Sequence, residues 1–502
     1  MRRGACILLI LPFVLLSFGL AFGGPKDTLV IAQGVDPSTL DPMNHLETPA
    51  YNVCLNLYDT LLQRSPDLKI EPLLASSYRL INDLTWEFKL RKGVKFQNGE
   101  DFNAAAVKFN LERMIDPKNK LKQVLFQGVI DRVDILDDYT VRIITKKPCP
   151  YLDAELCLAG SMIAPKYLQE KGPVHLSTNP VGTGPYKLVR WIKDDQLVLE
   201  ANENYWRGSP KIKRVIFRPI PEATTRVAGL QTQELDIIVN VPPHLMRLMD
   251  WKGRSFVSKA PSARVIFMGF NTLQGGPVAD RRVRQAIAQA IDMETNIKKI
   301  LGGNAILLGS PLTKNHFGYD PNVKPYAYNP EKAKKLLAEA GYPNGFDFVL
   351  NSPNGRYLND KEMAEAVVGD LRKVGINASV RTPEWGILLS MMYSHNAYPA
   401  FLIGWGNTSF DADYTLSPYF RTGQALSEYS NPKLDALIDH GATTMDKKKR
   451  LKIYSQAAKV IKDDLPVAWV YQQIDIYGVN ERVNWKARTD ERLVAFDMSF
   501  KK

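Results

Sequence analysis

Cysteine is scarce in this 502-residue chain, with four in all: Cys6, Cys54, Cys149 and Cys157. No C-x-x-C occurs, and the six histidines never fall at i, i+4, so the usual spacings of a zinc site are absent. There is no G-x-S-x-G elbow, no Walker A loop and no H-E-x-x-H. Gly182-Thr183-Gly184 lacks the third glycine of a dinucleotide fingerprint and runs into Pro185, so it reads as a tight turn. The adjacent pairs Asp194-Asp195 and Asp463-Asp464 diverge and make poor acid–base partners. The chain is therefore expected to be no enzyme and to carry no cofactor or metal. A secreted hydrolase is the remote alternative.

Excess charge of one sign is diluted. Lys+Arg 65 against Asp+Glu 53 leaves +12, and the one dense run, Lys447-Lys448-Lys449-Arg450, reads as a solvated helix face rather than a nucleic-acid patch. Low-complexity linkers and 20–50-residue repeats are lacking, which favours lobes joined by shared strands over beads on a string. What is present is ordinary for a globular chain, 45% hydrophobic and 24% charged. At roughly 150 residues per domain, the length suggests three domains, or two lobes with one split.

Only one long apolar run exists, Ala5 to Leu20, preceded by Arg2 and Arg3 and followed by small residues at Ala21, Gly23 and Gly24. Residues 1–24 thus read as a secretory signal peptide, cleaved near Ala21-Gly24. Pro12 interrupts the stretch, which argues against a retained anchor, and no cysteine sits at the exit to carry a lipid. The expected location is the periplasm. In that oxidising setting Cys149 and Cys157 are candidates for a small disulfide loop, with Cys54 a buried small hydrophobe.

Along the chain, Trp86, Phe88 and Leu90 alternate with polar residues as in a half-buried strand, and Asn103 introduces a helix with Val107, Leu111 and Met114 on one side. Further strands are expected at Tyr139–Thr145, Leu235–Asn240 and Arg264–Asn271. After Pro277, helices and strands alternate: Asn329 caps a helix with Pro330 at its first position, and strands follow at Phe346–Leu350, Ala400–Trp405 and Val467–Tyr471. That alternation implies a largely parallel βαβ sheet. Aromatic residues then gather at loop positions: Trp385, Trp405, Phe410 and Tyr414, near polar Asn407, Thr408, Asp411 and Asp413. Arg356 and Trp405 each follow a strand, where α/β sheets collect ligand sites. Spacing leaves Arg356 between a surface ion pair and a fork for a carboxylate, and Trp405 between core and cleft wall.

Several stretches resemble one family. LASSYRLINDLTWEFKLRKGVKFQNGEDFNAAAVKFNLERM from Leu74 to Met114, NPVGTGPYKLVRW from Asn179, NENYWRGSP from Asn202, NPEKAKKLLAEAG from Asn329 and GWGNTSFDADYTLSPYF from Gly404 are similar, in collinear order, to the bacterial extracellular solute-binding proteins of family 5. These are peptide, nickel, haem and glutathione receptors of ABC importers. The resemblance implies an α/β, two-lobed periplasmic binding protein of type II with an extra subdomain and a cleft between lobes. Lobe one would span 25–275 plus 478–502, with an inserted subdomain at 66–178, and lobe two 276–477. It implies as partners a small ligand and the membrane permease subunits of an importer, no nucleic acid, and a monomeric receptor.

In peptide-binding members an aspartate three residues after the tryptophan of the Gly-Trp motif holds the peptide amine; here that position is Thr408. The Asp411-Ala412-Asp413-Tyr414 stretch looks more like the glutathione-binding branch, and Arg356 resembles the arginine that grips a substrate carboxylate. The implied solute is a small peptide or peptide-like molecule, glutathione-like or modified. A nickel chelate, oligosaccharide or other non-peptide solute is the alternative. The ligand residues implied are Arg356, Trp385, Trp405, Asn407, Thr408, Phe410 and Asp411.

Overall fold

The computed structural model describes residues 27–123 and 126–501; the expected signal peptide and Cys6 lie outside the described residues. An eleven-stranded mixed sheet runs through the molecule. At its centre lie two long antiparallel neighbours, Ser255–Phe270 and Val467–Asn480. At one end of this pair the sheet continues through Ile237–Ile238, Thr28–Gln33, Arg214–Pro219, Gln196–Ala201 and Tyr186–Ile192. At the other end it continues through Ala400–Gly406, Asp347–Asn351 and Asn377–Arg381, with Ala305–Leu308 on Val467–Asn480.

The two halves meet at a waist. Ser255 to Pro261 pair with Asn480 to Ile474, register breaks, and pairing resumes from Val265 with Gln472. The partner strand Ala400–Gly406 begins its pairing at Arg264. The register break thus lies around 262–264 in one strand and 473 in the other, and the lobe limits 275/276 and 477/478 implied by the resemblance lie further along the chain in both cases. Pro277 marks where helices begin, not where the sheet crosses.

Packing explains why the central strands run so long. Ile266, Met268 and Phe270 enter one core, while Val265 and Phe267 enter another on the opposite face, the two-residue alternation of a doubly covered strand. The first of these cores also takes in Val30, Ala32, Leu230 and Ile238, so apolar packing is continuous across the waist. The sequence expectation of a largely parallel later half is corrected. Asp347–Asn351 is parallel to both its neighbours, but Ser255–Phe270 is antiparallel to both of its own, Ala400–Gly406 and Val467–Asn480. The two long strands enter from the other half, so no helical crossover constrains their direction.

A separate antiparallel sheet, ordered Ala75–Asn82, Thr85–Leu90, Thr140–Thr145, Ile130–Asp137, carries the helix Ala104–Ile115. Asn103 caps that helix by accepting from the Ala106 amide at 3.1 Å. Asn329 does the same for Pro330–Glu339 through Lys332, at 2.9 Å. Cys54, Cys149 and Cys157 are buried free thiols, so the disulfide loop does not form. Among the described residues no helix is long and apolar enough to cross a membrane.

Candidate functional site

A cavity of about 190 Å³ lies where the two halves face each other beside the waist. The earlier half supplies Leu46, Thr48, Tyr51, Asn52, Leu55 and Leu158, and the C-terminal segment supplies Asp490, Glu491 and Arg492. The later half supplies Arg264, Arg356, Tyr357, Trp385, Trp405, Thr408 and Tyr414. Four of the seven implied ligand residues therefore come together on its wall, Arg356, Trp385, Trp405 and Thr408, together with the loop aromatic Tyr414.

Each is placed by its backbone. Trp405 ends the strand Ala400–Gly406, donates from Nε1 to the Tyr414 carbonyl at 2.8 Å, and meets the Tyr419 ring edge-on at 5.0 Å. The flanking glycines are sterically required. A Cβ at Gly404 would lie 2.5 Å from Ile266 and 2.6 Å from the Tyr357 ring, and one at Gly406 2.9 Å from the Arg264 guanidinium. Arg356 follows the strand Asp347–Asn351, on a loop gathered by buried Asp360, which accepts from the amides of Gly355, Arg356 and Tyr357 at 2.8–3.0 Å. Its guanidinium stands 5.0 Å from the Tyr357 ring centre and 5.3 Å from that of Trp385, a cation–π platform. Among the described residues it has no carboxylate within ion-pair distance. Burial pulls its pKa below the ordinary guanidinium value, and the group stays charged at any physiological pH.

The remaining charges of the wall are paired. Arg264 Nη2 lies 3.1 Å from Glu491 Oε2, and Glu491 also accepts from the hydroxyls of Ser262 and Thr48. Burial presses the Glu491 carboxyl upward, and the Arg264 guanidinium overrides it, holding the group below the usual range. Asp490 is gripped by Arg488 at 2.7 Å and faces Arg492 at 3.6 Å. Behind the wall, Asp475 is buried beside Glu491; burial first, then that like charge, lift it to about 8, so it is neutral at pH 7.

Asn407, Phe410 and Asp411 do not reach the cavity, and their expected place on its wall is corrected. Asn407 is fully buried and organises the loop. Its side-chain Oδ1 accepts from Ser409 Oγ and the Phe410 amide, and its Nδ2 donates to the Asp411 carbonyl and Thr415 Oγ1. His316 supports it from behind: Nδ1 accepts from the Thr313 amide, so Nε2 carries the proton and donates to the Asn407 carbonyl at 3.0 Å. Burial lowers the His316 pKa to about 4, keeping it neutral. Phe410 stacks on His316 at 5.4 Å. Asp411 forms a bidentate pair with Arg450, both arms 2.6 Å and both side chains buried. That also corrects the basic run: Lys447 to Lys449 are exposed, whereas Arg450 is core.

The same loop touches the opposite half. Arg64 donates to the Ser409 carbonyl and lies 4.9 Å from the Phe410 ring centre, while Tyr151 sits 5.4 Å from the Arg450 guanidinium. Sequence reasoning missed Arg264, Tyr357 and the C-terminal 490–492. Gly406, which must stay small to admit Arg264, was the one local hint.

A model described as bacterial extracellular solute-binding proteins, family 5 middle, matches residues 69–427. The glutathione-binding protein GsiB of Pectobacterium atrosepticum is 32% identical over 455 residues, 88% of this chain and 87% of that one. GsiB of Escherichia coli K12 is 31% identical over 88% of both. Among solved structures, the ABC transporter-associated periplasmic binding protein DppA of Helicobacter pylori, in complex with peptide STSA, superposes with a TM-score of 0.84 at 28% identity, covering 95% of this chain and 98% of that one. NikZ of Campylobacter jejuni, in complex with Ni(L-His), gives 0.82 at 26% identity, over 95% and 100%. The fold is accordingly that of the two-lobed, type II periplasmic binding proteins. On the family match and these relatives together, the chain belongs to the bacterial extracellular solute-binding proteins of family 5, the solute receptors of ABC importers, and is a binding protein rather than an enzyme.

Proposed function

We propose that this receptor captures a small peptide-like solute, glutathione-like or otherwise modified, whose carboxylate pairs with Arg356, and presents it to the membrane permease. The halves on either side of the waist act as the lobes, and the solute is held between them. One observation carries the reading: among the described residues, Arg356 is a guanidinium without a carboxylate partner on the wall of a cavity shared by both halves. A planar cation on an aromatic platform binds a carboxylate bidentately and loses little freedom in doing so. The solute drives closure only by binding the closed arrangement better than the open one.

Thermal and chemical denaturation with candidate solutes tests this. A true ligand at ~100 Kd raises the unfolding free energy by about 2.7 kcal/mol. Arg356→Ala is expected to weaken an anionic ligand by roughly 2–5 kcal/mol while leaving the unliganded protein folded. Equal affinity of wild type and variant for every carboxylate ligand found removes the reading.

A further inference from the structure

Building on Arg356 as the carboxylate anchor, we infer that the solute is a monoanion with an apolar or aromatic body and no free primary ammonium: an N-blocked small peptide or an equivalent amine-free carboxylic acid. The wall carries three guanidiniums, Arg264, Arg356 and Arg492, against two carboxylates, Asp490 and Glu491. This leaves a single positive charge in excess, and Arg488, which also holds Asp490 from outside the wall, is itself faced by Asp497 at 3.7 Å.

Neither carboxylate is available to an incoming cation. Both Glu491 oxygens are taken, Oε1 by Ser262 and Oε2 by Arg264 and Thr48. Asp490 is 2% exposed, and both its oxygens are taken by Arg488. Drawing either acid away would strand a buried guanidinium, the costlier outcome.

An ammonium entering this space would be desolvated beside an unpaired guanidinium with no counter-charge. A neutral amide or ester at the same place meets no such opposition. Elsewhere the wall is mostly leucine and aromatic ring, with Thr48, Asn52 and Thr408 as its uncharged polar groups, and Leu46 and Tyr393 at its edge are exposed, so the part of the solute away from Arg356 meets mainly apolar surface. Glutathione is also a net monoanion, but its free ammonium finds no open carboxylate on this wall, since Asp490 and Glu491 are both engaged. The inference therefore narrows the proposed class to its modified members.

Matched probes test it by calorimetric titration of the purified protein: L-leucyl-L-phenylalanine, its N-acetyl derivative, the C-terminal amide of that derivative, and glutathione. The N-acetyl acid is expected to bind at least tenfold tighter than the free-amine dipeptide and than glutathione. Thr408→Asp, which sets a carboxylate on the half-buried wall, should shrink that preference at least tenfold. If the free-amine dipeptide or glutathione binds as tightly as the N-acetyl acid, and Arg356→Ala abolishes it, the inference falls while the carboxylate anchor stands. If the amide binds as well as the acid, the anchor falls and the inference with it. Failure of all four probes to bind overturns the inference.

Discussion

Arg264 Nη2 and Glu491 Oε2 meet at 3.1 Å, joining the strand that passes through the waist to the C-terminal segment that lines the cavity. Both side chains are about nine-tenths buried. Removing one member of such a pair costs far more than the pair contributes, because the survivor is left charged and dry. Arg264→Met should therefore lower the unfolding free energy by about 3–5 kcal/mol, read from urea denaturation. A loss below ~1 kcal/mol would mean that Glu491 simply takes up a proton.

The loop after Trp405 separates support from contact. Asp411→Asn breaks the bidentate pair with Arg450 and should cost about 3–5 kcal/mol of stability. Thr408→Val, on the cavity wall, should leave unfolding within ~0.5 kcal/mol of wild type, as substitutions away from core features usually do. Comparable losses at both positions would show that the wall and the loop core are one packing unit.

Stability should fall as pH rises from about 4 to 8 through Glu155, Asp413 and Asp475. Burial first, then the Asp411 charge, lift Glu155 to about 8 and Asp413 to about 7, and Asp475 stands at about 8. In the unfolded chain these groups ionise near pH 4. The folded protein thus binds more protons between pH 4 and 8, and the stability fully present below that window is lost through it. Glu155→Gln should flatten the slope of unfolding free energy against pH; an unchanged slope assigns it to other groups. Asp490 and Glu491, held low, act in the opposite sense, and their contribution disappears only on acidification toward their folded values.

Gly404→Ala should destabilise by about 1–3 kcal/mol through overpacking and should also weaken ligand binding. The added methyl collides with the Tyr357 ring that carries Arg356. Titration of the variant with a ligand of the wild type checks the second effect.

Thiol chemistry should be silent in the native state. Cys54, Cys149 and Cys157 are buried and unbonded, and burial pushes the Cys157 thiol up to about 12. Ellman's reagent should find no fast-reacting group among them before denaturant is added, and all three afterwards. A native disulfide would leave only one.

Local signals told much of the fold. Asn103 and Asn329 cap the helices expected of them, and the alternation from Trp86 to Leu90 is the strand it implied. The central strands were legible only in part. Pro261 and polar Ser258, Lys259 and Ser262 disguise the first half of Ser255–Phe270, and Gln472, Gln473 and Asp475 disguise the second half of Val467–Asn480. Several of those polar groups find long-range partners, such as Gln472 donating to the Ser262 carbonyl at 2.7 Å and Lys259 to Asn304 at 3.0 Å, and no window of sequence contains such partners. The site divides the same way. Arg356, Trp385, Trp405 and Thr408 follow from strand ends and motif, whereas Asn407 and Asp411 read identically in one dimension and serve only to hold the loop. Glu491 lies 227 positions from the arginine it pairs with, which no spacing argument reaches.

The register break at the waist has a mechanical corollary. Where the ladder between two neighbouring strands is interrupted, as at Pro261/Val265, the ribbon bends and twists more than where pairing is continuous. Under the proposed closure, the backbone between the two halves would flex at that interruption, so the travel of the jaws would be set by a few residues of strand rather than by a loop.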